Sequence, residues 1–311
     1  MSLAPPATLE LIERLHNLMT SSFDAGRAED RAELAALWRG AGHEQPLPPA
    51  DERRPCTSER WLELGFQNSD PASDLRGVGL LGLHCLVRAA GQAEGCKFPW
   101  ALCGINLCLA LAEILRLAQV SKDDLGAGNA NCAKLGVALR QVSQAPLCTL
   151  LAWLGSAEPF EDVFCALLRS LATAWSAADA LEPMSVMDFP PLLECLKVHF
   201  AKWCEDFAPN LAPQAARGEG RRGEESVLTS AFVLQQIAQL PVDVNFKRQS
   251  ALSPPPARTR SAPTDSGLLA RARRASVELL LGGSKGTSPP QRARSKTASA
   301  AVAGSTEPEA R

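Results

Sequence analysis

Between Trp61 and Leu83 the chain reads WLELGFQNSDPASDLRGVGLLGL, which sets one arginine, Arg76, between an acidic turn and a glycine-spaced apolar run. A guanidinium is planar, permanently charged and able to donate in pairs. Held on a rigid, exposed mount, it can neutralise charge that develops on phosphoryl oxygens. The structural alternative for the same side chain is an ion pair with Asp74 or another carboxylate. Residue types alone leave both open.

The elements that must position Arg76 follow from its neighbours. Asp70-Pro71 initiates a turn, because proline biases the preceding residue away from helix. Ser73 or Asp74 can cap the helix that follows, offering an oxygen to its free first-turn N–H groups, and Arg76 then falls in that first turn. Gly77 and Gly79 each cost about 1 kcal/mol of helix propensity relative to alanine. That loss is acceptable where another backbone comes close. Trp61 and Phe66 are expected to anchor the segment in the core. Gly77, Gly79 and Gly82 also satisfy G-x-G-x-x-G, but a dinucleotide site needs a strand before the glycines and a second strand ending in an acidic residue. A turn precedes these glycines and a helix follows, so no nucleotide or other small-molecule site is expected there.

Apolar residues recur at helical spacing almost throughout. Leu11, Ile12, Leu15, Leu18 and Met19 mark an amphipathic helix, Ala28–Arg39 a second, and Gln45–Pro55 a proline-rich loop. Further helices are predicted over 76–90, 98–120, 129–143, 159–181 and 190–206. Phe98–Val120, the longest candidate, is apolar nearly all round and should form the core. No segment alternates with a period of two, and tyrosine is absent. The expected architecture is all-α: an N-terminal amphipathic helix within 1–27, one compact helical domain over 28–208, and a largely disordered Pro/Ser/Arg-rich tail over 209–311.

Charge supports that division. Residues 210–311 hold 15 Lys+Arg and 8 Asp+Glu, whereas 1–209 hold 17 and 26, so an overall charge of −2 conceals an acidic body and a basic tail. The tail is too poor in apolar surface to offset chain entropy, except at Ser226–Val242 and Ala275–Leu281, which have helical spacing. All 10 cysteines lie in the body, none in a Cys-x2-Cys pair, and several sit inside apolar runs as small hydrophobes. No basic leader and no membrane-length apolar run is present, so a reduced, cytoplasmic protein is expected. His16, His43, His84 and His199 show no metal-ligand spacing, and neither a metal nor a cofactor is expected. His84 beside Cys85 reads as a packed pair, and the G-x-S-x-G elbow of a hydrolase is missing. Nucleic acid is disfavoured as a partner, because no aromatics are interleaved with the basic residues.

Trp61, Gly65, Phe66, Gln67, Pro71, Ser73, Asp74, Arg76, Gly77, Gly79, Gly82 and Leu83 together resemble the signature of the ELMO (engulfment and cell motility) domain, W-x3-G-F-Q-x3-P-x-[ST]-D-x-R-G-x-G-x2-G-L. The likeness extends to Glu29–Trp38, to Lys97–Asn106, to Phe160–Trp175 and to Met187-Asp188-Phe189-Pro190, covering about Ala28 to Asp206. Leu75 stands where the family often has an aromatic, and Ser73 where threonine is usual. Ser121–Pro146 diverges. The resemblance implies a regulator of small GTPases. In one branch the signature arginine is a catalytic finger supplied in trans to Arf and Arf-like GTPases, a role that falls on Arg76. In another branch the proteins are longer, non-catalytic scaffolds for Rac exchange factors and lack the arginine. Retention of Arg76 favours the first, with the adaptor role as the alternative.

In the tail, Arg258-Thr-Arg-Ser261-Ala-Pro263 and Arg273-Arg-Ala-Ser276 resemble sites of basophilic kinases. Phosphate on Ser261 or Ser276 would meet adjacent arginines and could order the segment or recruit a reader. The same basic charge could hold the protein at an anionic membrane surface, where Arf-type GTPases reside.

Overall fold

Apolar side chains spaced three and four apart build the molecule from helices, and among the described residues there is no strand. The structure is a computed structural model, and it describes residues 6–48, 56–92, 98–120, 141–143, 145–215 and 229–242. Ten α-helices are described: α1 Pro6–Thr20, α2 Ala28–Gly40, α3 Arg60–Glu63, α4 Ala72–Leu75, α5 Gly79–Ala89, α6 Trp100–Ile114, α7 Pro146–Leu154, α8 Pro159–Leu181, α9 Phe189–Ala215 and α10 Ser230–Ala238. Helix α5, which directly follows Arg76 in the chain, packs against α1, α2, α6 and α8.

The all-α reading holds, and α2 and α8 fall where the periodicity puts them. Helix α6 is the apolar centre, but it is shorter than expected. It ends at Ile114, and Arg116 then takes left-handed backbone at φ +60° before a short 3-10 turn. The longest described helix is instead α9, which runs on to Ala215 past the change of composition at Asn210. Helix α7 lies outside every helix predicted from the spacing. Its boundaries obey the usual asymmetry, with Pro146 in the first turn and Gly155 just past the end at φ +61°. Its nine residues are too few for a periodic pattern to register. Most of the predicted helix over 129–143 lies outside the described residues, as do Ala275–Leu281, Ser261 and Ser276.

In the tail, Ser226–Val242 delivers α10, whose Val233 and Ile237 are buried against α8. The Ser230 hydroxyl donates to the Leu154 carbonyl and that of Ser170 to the Leu240 carbonyl, both at 3.2 Å. Thr229 caps the helix through the Phe232 N–H. Val233 and Ile237 thereby join the core cluster of the helices before them.

The start of α5 is fixed by backbone meeting backbone. The Leu80 N–H donates to the Ser21 carbonyl at 2.9 Å, so the C-terminal end of α1 satisfies a first-turn donor of α5. Positive and negative helix ends thereby face one another. Gly79 makes this approach possible: its φ is +56°, and a Cβ would lie 2.6 Å from the Ser21 oxygen and 2.7 Å from that of Leu18. Left-handed backbone costs an L-residue about 1–2 kcal/mol before any clash. Gly79→Ala is therefore expected to destabilise the fold by at least about 2 kcal/mol. The measurement is urea unfolding, with a lowered midpoint at unchanged slope.

Candidate functional site

The signature folds as two small aromatic and polar knots with an exposed turn between the second knot and α5. In the first knot, Trp61 is fully buried, and its ring meets Trp38 edge-on at 4.8 Å and Phe66 at 5.3 Å between centroids. The Trp61 indole N–H donates to the Cys56 carbonyl at 2.9 Å, so the ring is held at its polar end as well. Gly65 lies against Pro99 and Trp100 at φ +87°. Its carbonyl and that of Leu64 accept the Leu102 and Ala101 N–H groups at 3.2 and 2.9 Å, which supplies partners to the start of α6. Leu64 and Gly65 thus tie the signature to α6, while Trp61, backed by Phe66, ties it to Trp38 on α2.

The second knot surrounds Asp74. Pro71 and Asp74 are buried, and one Asp74 carboxylate oxygen accepts the Gln67 N–H at 2.7 Å. Ser73 donates from its hydroxyl to the Asp70 carbonyl at 2.9 Å and accepts from the Asn68 amide at 3.0 Å. Asp70 accepts the Ala72 N–H at 3.0 Å. Neither Ser73 nor Asp74 caps the helix after Arg76, contrary to expectation. Both lie within α4, and the acceptor for α5 comes from Ser21, a residue distant in sequence that local spacing could not reveal. Asn68 falls at an unspecified position of the signature and was not singled out. Only the fold shows it bracing Ser73.

Burial pushes the Asp74 carboxyl above the usual carboxylate range, against the Gln67 N–H, the Ser73 hydroxyl and the Arg76 charge, which pull it down. A raised folded-state value means that ionisation is less favourable in the fold than in the unfolded chain. This group's contribution to stability is therefore full below the ordinary aspartate value and is lost as pH rises through the folded one. Asp74→Asn keeps an acceptor for Gln67 and removes the ionisation. Thermal melts should show the variant at its greatest disadvantage near pH 3 and the gap narrowing toward pH 7. A gap that widens with pH would contradict this.

Arg76 does not sit in the first turn of α5. It follows the last residue of α4, with φ −57° and ψ −30°. The Val78 N–H donates to the Leu75 carbonyl at 3.2 Å, closing a turn whose two central residues are Arg76 and Gly77. Leu75 and Val78 are buried on either side, whereas Arg76 and Gly77 are exposed. The Arg76 Nε donates to the Ser73 carbonyl at 3.0 Å, which fixes the inner end of the guanidinium. Among the described residues its Nη nitrogens have no hydrogen-bond or ion-pair partner. Asp74, the expected ionic partner, faces Gln67 instead.

Gly82 leaves room for the Val78 side chain. Of the glycines in the run Gly77–Gly82, Gly77 lies between α4 and α5 while Gly79 and Gly82 lie in α5 itself, with no strand beside them among the described residues. Cys85 is fully buried, and the half-buried His84 places its Nε2 3.9 Å from a Glu33 carboxylate oxygen. Burial raises the Cys165 thiol to about 11 and that of Cys148 to about 12. They pack as apolar groups. Among the described residues, no cluster of His, Cys, Asp and Glu is placed to hold a metal, and no helix is long and apolar enough to cross a membrane.

A model of the ELMO/CED-12 family matches residues 13–193. The chain is similar to ELMO domain-containing protein B of Dictyostelium discoideum, at 31% identity over 30% of this chain and 35% of that protein. It is also similar to ELMO domain-containing protein 1 of Bos taurus, at 26% identity over 68% of this chain and 64% of that protein. A shorter match joins it to ELMO domain-containing protein 2 of Mus musculus, 32% identical over 25% of each chain. The chain thus spans between about a quarter and two thirds of the length of these relatives. No solved structure matches it significantly.

Proposed function

The chain belongs to the ELMO/CED-12 family, and from that premise we propose that it is a GTPase-activating protein for an Arf or Arf-like GTPase, with Arg76 as the arginine supplied in trans. The observation that carries the proposal is the state of that side chain. It is exposed at the crest of a closed turn, anchored at Nε by Ser73, with its paired Nη donors free of described partners. Those donors are spent on no carboxylate among the described residues, which leaves them available to a ligand from outside.

The chemistry asks little else of this chain. Hydrolysis of GTP develops charge on the γ-phosphate oxygens and on the β–γ bridge, while the GTPase itself holds nucleotide, Mg²⁺ and attacking water. Arg76 contributes a planar, bidentate cation to that pocket, and the helical body supplies the surface that docks it. The basic residues beyond Asn210 would add attraction to the anionic membrane at which such a GTPase is presented.

Single-turnover GTP hydrolysis across a panel of Arf and Arf-like GTPases tests the reading. Acceleration by the wild-type chain that disappears in Arg76→Ala supports it. Acceleration that survives the substitution refutes the chemistry. Binding without acceleration, indifferent to Arg76→Ala, would instead make the chain a non-catalytic adaptor of small-GTPase signalling.

A further inference from the structure

Most glycines near the signature answer to something inside the fold. Gly65 and Gly79 hold left-handed backbone against Pro99 and against the end of α1, Gly82 makes room for Val78, and Gly104 lies against Leu86 and Phe164. Gly77 answers to nothing of that kind. Its φ lies outside the left-handed region, and a Cβ there would meet no atom of a described residue within 4 Å beyond its two chain neighbours. It is the second central residue of the Leu75–Val78 turn, a position open to most side chains when φ is negative. Glycine loses more chain entropy on folding than alanine, and here no internal contact offsets the loss.

The open space has a direction. Leu75 and Val78 are buried, so the crest of the turn consists of Arg76 and Gly77 alone. Successive Cα atoms are about 3.8 Å apart. A surface that receives the arginine stem must therefore also lie over the glycine. The guanidinium is already tied back to Ser73 at Nε, which limits how far it can swing to reach around an obstacle.

We propose that Gly77 is a docking residue. The rim of the partner GTPase's nucleotide pocket lies flat on its bare backbone, and the missing side chain sets how deeply Arg76 enters. This rests on the reading of Arg76 as an arginine supplied in trans, and it adds the contact that admits that arginine.

The test compares Gly77→Ala and Gly77→Leu with Gly91→Ala. Gly91 also has open space where a side chain would be and no positive φ, but it lies in the turn after α5, which carries it about 16 Å from Gly77. The probes are Arf and Arf-like GTPases loaded with GDP and aluminium fluoride, and the readouts are Kd and Tm. Both Gly77 variants should melt at or above the wild-type temperature. Affinity should fall about tenfold for Gly77→Ala and more than about a hundredfold for Gly77→Leu, with Gly91→Ala unchanged. Gly77→Leu binding as tightly as wild type overturns the proposal. An equal loss in Gly91→Ala also overturns it, and so does a loss matched by a lowered Tm. A wild-type chain that binds no panel member removes both this proposal and the reading beneath it. Binding that Gly77→Leu abolishes, with no acceleration of hydrolysis by wild type, keeps the docking role and removes the catalytic one.

Discussion

Arg76→Ala should lower the stimulated rate of GTP hydrolysis by about 10³–10⁵-fold, the range in which an arginine supplied in trans ordinarily acts. At about 1.4 kcal/mol per decade, that corresponds to roughly 4–7 kcal/mol of transition-state stabilisation. The fold has far less at stake. Arg76 is exposed, and its described hydrogen bonding is one bond from Nε to the Ser73 carbonyl, a contact worth about 0.5–1.5 kcal/mol net of exchange with water. The melting temperature should therefore barely move while the rate collapses. This separation is what distinguishes the finger from a structural arginine, whose loss would show first in the melt. Arg76→Lys sharpens the comparison. Lysine keeps the charge but lacks the planar fork and the Nε donor that Ser73 holds, so it should restore only a small part of the rate. Full activity in Arg76→Lys would mean that a point charge suffices.

Much of this arrangement is legible in the sequence, and the divide between what is legible and what is not is physical. Helices α2 and α8 follow from apolar spacing, because each buries one stripe against the core and the stripe repeats long enough to be counted. The anchoring of Trp61 and Phe66 follows from their type. The mount of Arg76 does not, because its determinants act across the chain. Ser21 supplies the acceptor that Ser73 or Asp74 was expected to supply, and only the fold brings α1 to the start of α5. Gly79 was read correctly as a place of close backbone approach, whereas its neighbour Gly77, read the same way, has empty space beside it. Two glycines in one motif thus do opposite things, and their spacing carries no trace of the difference. Helix α7 is not legible because a short apolar run gives periodicity too little length, although Pro146 and Gly155 mark its ends.

Arg14→Met is the substitution expected to harm the fold most among the polar contacts. Arg14 on α1 meets Glu161 on α8 through two parallel bonds of 2.9 Å, and Glu161 is only 1% exposed. Removing the arginine leaves a carboxylate buried without its partner, a change that costs about 3–5 kcal/mol in such pairs. Two features place this pair at the lower end. Arg14 keeps 33% of its side chain exposed, and Glu161 lies in the first turn of α8, where the helix dipole favours a negative charge. A loss of about 3 kcal/mol should lower Tm by roughly 6–12 °C in a fold of this size. The double variant Arg14→Met, Glu161→Met should recover most of that loss, since two apolar side chains of similar bulk replace a pair that gains little over them once desolvated. If instead the two single losses simply add, the residues are not coupled and the pair is incidental. The consequence reaches the turn that carries Arg76. The pair pins α1 to α8, and the far end of α1 is what satisfies the start of α5 and crowds Gly79. Loosening α1 therefore frees the C-terminal support of the Leu75–Val78 turn. In Arg14→Met, any stimulation of GTP hydrolysis should fall in step with the folded fraction on warming, and it should match wild type well below the transition.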